Sequence, residues 1–379
     1  MTIPSSWVEI ACDESGFSGT NLLDPASPAI THASTDLAVP EAAEVVAVLR
    51  SRLRRRSEYK SSQLLRPGQR PALEWFLTAL RGRAHVNVID KTGYVAARVL
   101  ELFTEEPSYG AGTSLGRDHS DAVLALRRRT GFLTAFVDLT RTKRVRLIDH
   151  DAIDRFFAMM PADLPALRQV TPARVEEVMV RLLDADPAFP PPLEPLVPAL
   201  AETLLFWSAG GRSVAVVHDE QSALTRGRVA RLGTFLAEAV SPAPPPLCSF
   251  LQVDSRDDPR VQVADLLAGI GRRRTPKLNE LLAPHLQAYA DRKSPPGVSA
   301  GVGAGQRETS ARPGGPCQPC RDVDREQSPV LVRDTQVVAG RSPGPSAEQV
   351  GNEPGHSPIG YDREPGNGVA EADAHAPII

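Results

Sequence analysis

Apolar and polar positions alternate through Trp7-Val-Glu-Ile-Ala-Cys-Asp-Glu-Ser-Gly16, so this stretch reads as a short strand that ends on an acidic turn. Val8, Ile10 and Cys12 fall on one face; Glu9, Ala11 and Asp13 fall on the other. A second strand is expected over 29–37, with Ile30, His32 and Ser34 on one face. Pro40 then opens a helix in which Ala43, Val46, Leu49 and Leu53 recur at helical spacing. It ends in Arg52-Leu-Arg-Arg-Arg56, where positive charge suits the helix dipole. A helix over 70–80, a strand over 84–90 and a helix over 94–103 follow.

From about 104 to 209 the pattern turns mostly helical. Segments 123–128, 134–139, 151–160, 173–183 and 193–207 carry it, interrupted by Phe189-Pro-Pro-Pro192. This block reads as a helical insertion without internal repeats. Strand signals return at 213–218 and 247–253, each followed by a helix, at 221–237 and 260–272. Pro242 to Pro246 form a stiff linker, and a short helix is expected from 278 to about 290. Strands alternating with helices make an α/β fold, a mixed sheet flanked by helices. Past Arg292 the apolar period disappears and Gly, Pro, Ser and Arg dominate. The expected organisation is one domain over 1–292, with the insertion at about 104–209, and a disordered Pro/Gly-rich tail over 293–379.

Composition adds limits. Hydrophobic residues are 41 % of 379, enough for a sizeable core, and the formal net charge of −3 argues against a surface coated with positive charge. A local basic groove stays open. Cys12 and Cys248 read as small buried apolar residues in strands, and Cys317 with Cys320 lacks the second ligand pair that zinc needs. No apolar run approaches the roughly 18 residues of a membrane span, and no secretory leader is visible. A cytoplasmic protein is the expectation. Nothing in the pattern indicates a protein partner.

The candidate chemistry lies in the acids. Three strand ends carry them: Asp13 with Glu14, Asp219 with Glu220, and Asp254. On the late helix Gln262 and Asp265 stand three apart and share a side, while Ala264, Ala268 and Gly269 are small enough to let that helix lie close to the sheet. Oxygen ligands gathered from distant segments suit hard ions such as Mg2+ or Mn2+. Two such ions roughly 4 Å apart can hold an attacking water and a leaving oxygen on a phosphodiester. Lys60, Arg52, Arg54 to Arg56 and Arg272 to Arg274 are placed to track a phosphate backbone. Gln262 reads as a hydrogen-bonding support rather than a ligand. His218 has three readings, as metal ligand, proton shuttle or strand cap. His85 is most simply structural.

Asp13-Glu-Ser-Gly16, Glu58-Tyr-Lys60 and Gln262-Val-Ala-Asp-Leu-Leu-Ala-Gly269 together resemble the bacterial family called domain of unknown function 3800, which looks like a member of the ribonuclease H-like superfamily. The resemblance spans about 7–290. It implies a ribonuclease H-like mixed sheet and a metal-dependent nuclease acting on RNA or DNA. It also implies roles: Asp13 bridging the metals, Asp265 as the late helical ligand, Asp219 as the acid on the central strand, Glu58 as a further catalytic acid that is a ligand or a metal-orienting group, Glu14 in support and Lys60 as a phosphate contact. The residues leave open an alternative, a non-catalytic nucleic-acid-binding or regulatory module that keeps the fold.

Overall fold

A computed structural model describes residues 7–17, 21–53, 60–115, 120–141, 147–187, 189–209, 211–273 and 276–286. The chain divides into two units, 1–327 and 328–379, and every described residue lies in the first. The expected tail over 293–379, with Cys317 and Cys320, lies outside the described residues, as do Arg54 to Arg56, Glu58 and Arg274.

The elements run β1 (Trp7–Ser15), β2 (Ala29–Thr35), α1 (Val39–Leu53), α2 (Ser61–Leu64), α3 (Arg70–Ala79), β3 (Ala84–Asp90), α4 (Lys91–Thr104), α5 (Ser120–Leu126), α6 (Thr130–Thr140), α7 (His150–Ala158), α8 (Pro172–Leu183), α9 (Leu196–Ser208), β4 (Ser213–Asp219), α10 (Arg226–Val240), β5 (Leu247–Val253), α11 (Pro259–Arg272) and α12 (Pro276–Leu282). The strands form one mixed sheet of order β3-β2-β1-β4-β5. β2 pairs antiparallel with both β1 and β3, whereas β4 runs parallel to β1 and β5 parallel to β4. The C-terminal ends of β1, β4 and β5 therefore open on the same edge. Ligands of such sheets gather at that edge.

Both faces of the sheet are covered. Ile10, Cys12, Ile30, Val214 and Val216 face the helices α4 to α10 and join the larger core cluster. Ala33 and Val86 face the other way, into a cluster with α1, α3, α11 and α12. Helix α9 is apolar nearly all round and nearly all buried, as a helix enclosed between sheet and helical block must be. Its Trp207 indole donates to Ser34 Oγ at 2.8 Å, which seats the helix on β2. No helix of the described residues is long and apolar enough to cross a membrane.

Strands β3 and β5 begin and end where the alternation predicts. Three departures have local causes. β1 continues through Glu14 and Ser15, because β2 offers them partners in His32 and Thr31. The acids thus sit within a paired strand rather than in a turn. α4 starts at Lys91, capped by the Asp90 carboxylate accepting from Gly93 N at 2.9 Å. α10 starts at Arg226 rather than near 221, because Thr225 caps it and residues 221–224 form a turn.

Candidate acidic site

Successive residues of β1 point to opposite faces, so Asp13 and Glu14 part company. Asp13 lies on the face covered by α11, with Ala11 and Val217, which pack against Val261 of that helix. β4 runs beside β1, and Cys12 is level with His218, so Asp219 is the next residue out on the Asp13 face. α11 crosses β1 and β2 and presents Asp265 toward the same end. Small residues allow that approach. Ala264 and Ala268 are fully buried, and the Thr31 hydroxyl on β2 donates to the Ala268 carbonyl at 2.7 Å. Gly269 does a different task from the expected one. It faces α2, where Ser61 fills the space its side chain would take.

Negative charge is concentrated here. Asp13 is 5 % exposed, and burial, reinforced by Glu14, Asp265 and Asp219, pushes its carboxyl up to about 9. Its Oδ1 accepts only a local bond, from Glu14 N at 2.6 Å. Glu14 is also pushed up by burial; its Oε1 accepts from Gln221 Nε2, while its Oε2 is buried with no hydrogen-bond partner. Among the described residues no group of three or more His, Cys, Asp or Glu side chains is arranged to hold a metal ion as the structure stands. Asp13, Asp219 and Asp265 share an electrostatic field rather than a coordination sphere. Their chemistry nevertheless suits a hard cation: all donors are carboxylate oxygens, and burial together with the surrounding negative charge holds Asp13 toward protonation.

Supports surround the acids. Gln262 Nε2 donates to the Ser255 carbonyl at 3.0 Å, and Ser255 N donates to Asp219 Oδ1 at 3.0 Å. The amide of the late motif thus steadies the turn that steadies Asp219. Gln252 Nε2 ties the 221–224 turn to β5 through the carbonyls of Gln221 and Leu224, both at 3.1 Å. Gln221, Ser255 and Gln252 carried no signal in the sequence, because each acts through a contact set by the sheet register.

Other candidates fall elsewhere. Asp254 turns back onto Arg256, which holds its carboxyl down at about 2, and so does not join the cluster. Glu220 is exposed. The expected central-strand place of Asp219 belongs to Asp13, since β1 is the middle strand and β4 its neighbour. Lys60 is exposed at the start of α2, which packs on α11. Arg272 lays its side chain against Gly16 at the end of β1. Arg52 instead stacks over Trp75, 4.8 Å from the ring centre. His218 points to the α9 face, away from Asp13. Its Nδ1 meets the Asp219 carbonyl at 2.8 Å and its Nε2 meets His32 Nε2 at 3.1 Å, while His32 Nδ1 meets Thr203 Oγ1 at 2.8 Å. The Thr203 hydroxyl donates its one proton to the Ala199 carbonyl at 3.0 Å, so it accepts from His32 Nδ1. His85 stacks on Phe206 with ring centres 3.8 Å apart, a packing role.

Comparison of the chain with protein-family models, with curated proteins and with solved structures gives no match.

Proposed function

We propose that this chain is a divalent-metal-dependent nuclease that hydrolyses phosphodiester bonds in RNA or DNA, built on a ribonuclease H-like core and related to the domain of unknown function 3800 family. The observation that carries the reading is the meeting of Asp13, Asp219 and Asp265, from two adjacent parallel strands and the helix over their shared face, where burial first, and then the charges of Glu14, Asp265 and Asp219, push the Asp13 carboxyl up to about 9. A mixed sheet with its acidic strand in the middle agrees with the core that the resemblance implies. Strongly perturbed acids in a cluster at the ends of parallel strands are typical of functional sites.

Asp13, Asp219 and Asp265 would hold Mg2+ or Mn2+. The bound ion would supply charge stabilisation for a phosphate and a more acidic water. The chain's own groups supply position. Ser255 and Gln262 fix the orientation of Asp219, and Gln221 fixes Glu14. Burial under α11 keeps bulk water from screening the carboxylates. Lys60 and Arg272 offer positive charge to a substrate backbone along the α2 and α11 side.

The test is cleavage of labelled single-stranded, double-stranded and hybrid nucleic acids by the full chain with Mg2+ or Mn2+, beside Asp13→Asn and Asp265→Asn. Metal-dependent cleavage that disappears in both variants is expected. Cleavage that persists in both overturns the assignment. Absence of cleavage, with Mn2+ binding identical in wild type and variants, removes the metal site and leaves the binding-module reading.

A further inference from the structure

A cavity of about 800 Å³ lies in the helical block, away from the acids, between α6, α7, α8 and α10. Its size falls within the range of ordinary ligand sites. Five arginines line it, Arg141, Arg155, Arg181, Arg228 and Arg231, against three carboxylates. Each carboxylate is already engaged. Asp138 pairs with Arg141 at 3.5 Å, Asp186 with Arg181 at 3.0 Å, and Glu194 with Arg228. Arg155 and Arg231 have no carboxylate partner among the described residues; Arg231 donates its Nε to the Tyr109 hydroxyl at 2.7 Å, which leaves its two terminal nitrogens for another acceptor. The lining also has an apolar, proline-rich stretch, Leu182, Pro187, Phe189, Pro191 and Leu193, with the Arg181 guanidinium 4.4 Å from the Phe189 ring centre. Buried Arg98 braces that stretch by donating to the Pro190 carbonyl at 3.3 Å while pairing with Glu101.

Two guanidinium groups without a carboxylate partner, in a cavity that is partly apolar, select a ligand of matching form. A phosphomonoester carries a charge of about −1.5 to −2 at neutral pH, and the forked donors of Arg fit its oxygens. A diester, with a single negative charge, would leave one guanidinium uncompensated. The cavity is also far larger than a bare phosphate requires, and its apolar stretch suits an organic body.

We propose that this cavity is a second binding site, which takes the phosphomonoester of a nucleotide-sized molecule, held by Arg155 and Arg231 with its organic part against the proline-rich stretch. The site does not depend on the nuclease reading. Two sources share the chemistry: a free nucleoside monophosphate and the 5′-phosphorylated end of a nucleic-acid strand.

Titration calorimetry on the full chain tests it with adenosine 5′-monophosphate, adenosine, inorganic phosphate, and one oligonucleotide with either a 5′-phosphate or a 5′-hydroxyl. The monophosphate, the phosphorylated oligonucleotide or both should bind, and their unphosphorylated counterparts should bind at least tenfold more weakly; which of the two binds names the source. Arg155→Ala and Arg231→Ala should each weaken binding about tenfold, the scale of one lost charge-assisted contact. Arg168→Ala, at an exposed arginine outside the cavity, should leave it unchanged. Arg155 is exposed and makes no side-chain bond among the described residues, so its removal leaves folding intact even where Arg231→Ala does not. Binding by neither phosphorylated probe, equal affinity for adenosine 5′-monophosphate and inorganic phosphate, or unchanged affinity in Arg155→Ala each overturns the proposal.

Discussion

Gly16 shows how one residue sets the acidic end of β1. Its φ is +93°, a region that L side chains rarely adopt, and an added Cβ would lie 2.6 Å from the Ala29 carbonyl oxygen and 2.8 Å from Arg272 Cδ. Gly16→Ala is therefore strained in its backbone and crowded in its side chain. It should cost roughly 1–3 kcal/mol, read as a lower urea midpoint with unchanged slope. A loss within error would mean that the turn relaxes freely. Of the turn, only the break at Gly16 was legible, since a glycine after Asp-Glu-Ser carries a local signal. The parting of Asp13 from Glu14 was legible only in half. Alternation places them on opposite faces, but an acidic turn was expected where β2 in fact extends the ladder. The histidines illustrate the opposite extreme. His32 and His218 are 186 positions apart, so nothing local announces that their rings meet.

At the scale of elements, α11 carries most of the site's geometry. Apolar spacing located it within one residue, because a buried helix face leaves a strong period. The use of Gly269 was not readable, since its partner is a serine on a four-residue helix with no sequence signature. An added Cβ at Gly269 would lie 2.1 Å from Ser61 Oγ and 2.6 Å from Ser61 Cβ. Gly269→Ala should then destabilise the protein by about 1–3 kcal/mol, the usual scale of overpacking. Ser61→Gly in the same chain should recover most of that loss, since the contact lies with that side chain. Additive losses in the double variant would place the strain elsewhere. The same helix supports Asp219 indirectly. Gln262→Leu removes the donor to the Ser255 carbonyl and frees the turn that holds Asp219. If the acids bind Mn2+, this variant should weaken binding roughly tenfold, the scale of a lost supporting bond, with little change in melting temperature. Equal affinity would show that the turn holds Asp219 unaided.

For the whole molecule, the two faces of the sheet give stability opposite responses to pH. On the α11 face the folded chain holds the Asp13 proton up to about 9, whereas an unfolded chain releases it near 3.8. The folded state binds more protons across that window, so this contribution is complete below it and is lost as pH rises through it. On the α9 face burial lowers His32 and His218 below their ordinary 6.5. Between those lowered values and 6.5 the unfolded state binds more protons, so their contribution is complete above 6.5 and is lost as pH falls. The metal-free protein should therefore vary little in stability from pH 5 to 6.5, where the trends oppose, and weaken from there toward pH 9. Asp13→Asn deletes one titrating group from the falling limb and leaves Glu14, whose carboxyl is also raised, on it. Its urea midpoint should fall less steeply than wild type above pH 6.5, so that the variant is the more stable protein at pH 8. Mg2+ or Mn2+ added at pH 8 should raise the wild-type melting temperature and leave Asp13→Asn nearly unmoved, since a cation relieves only carboxylates that can ionise around it. Parallel pH curves for the two proteins would mean that Asp13 is ionised in the folded state. The carboxylates would then lie too far apart to share a field, and both the cation and the chemistry built on it would lose their footing.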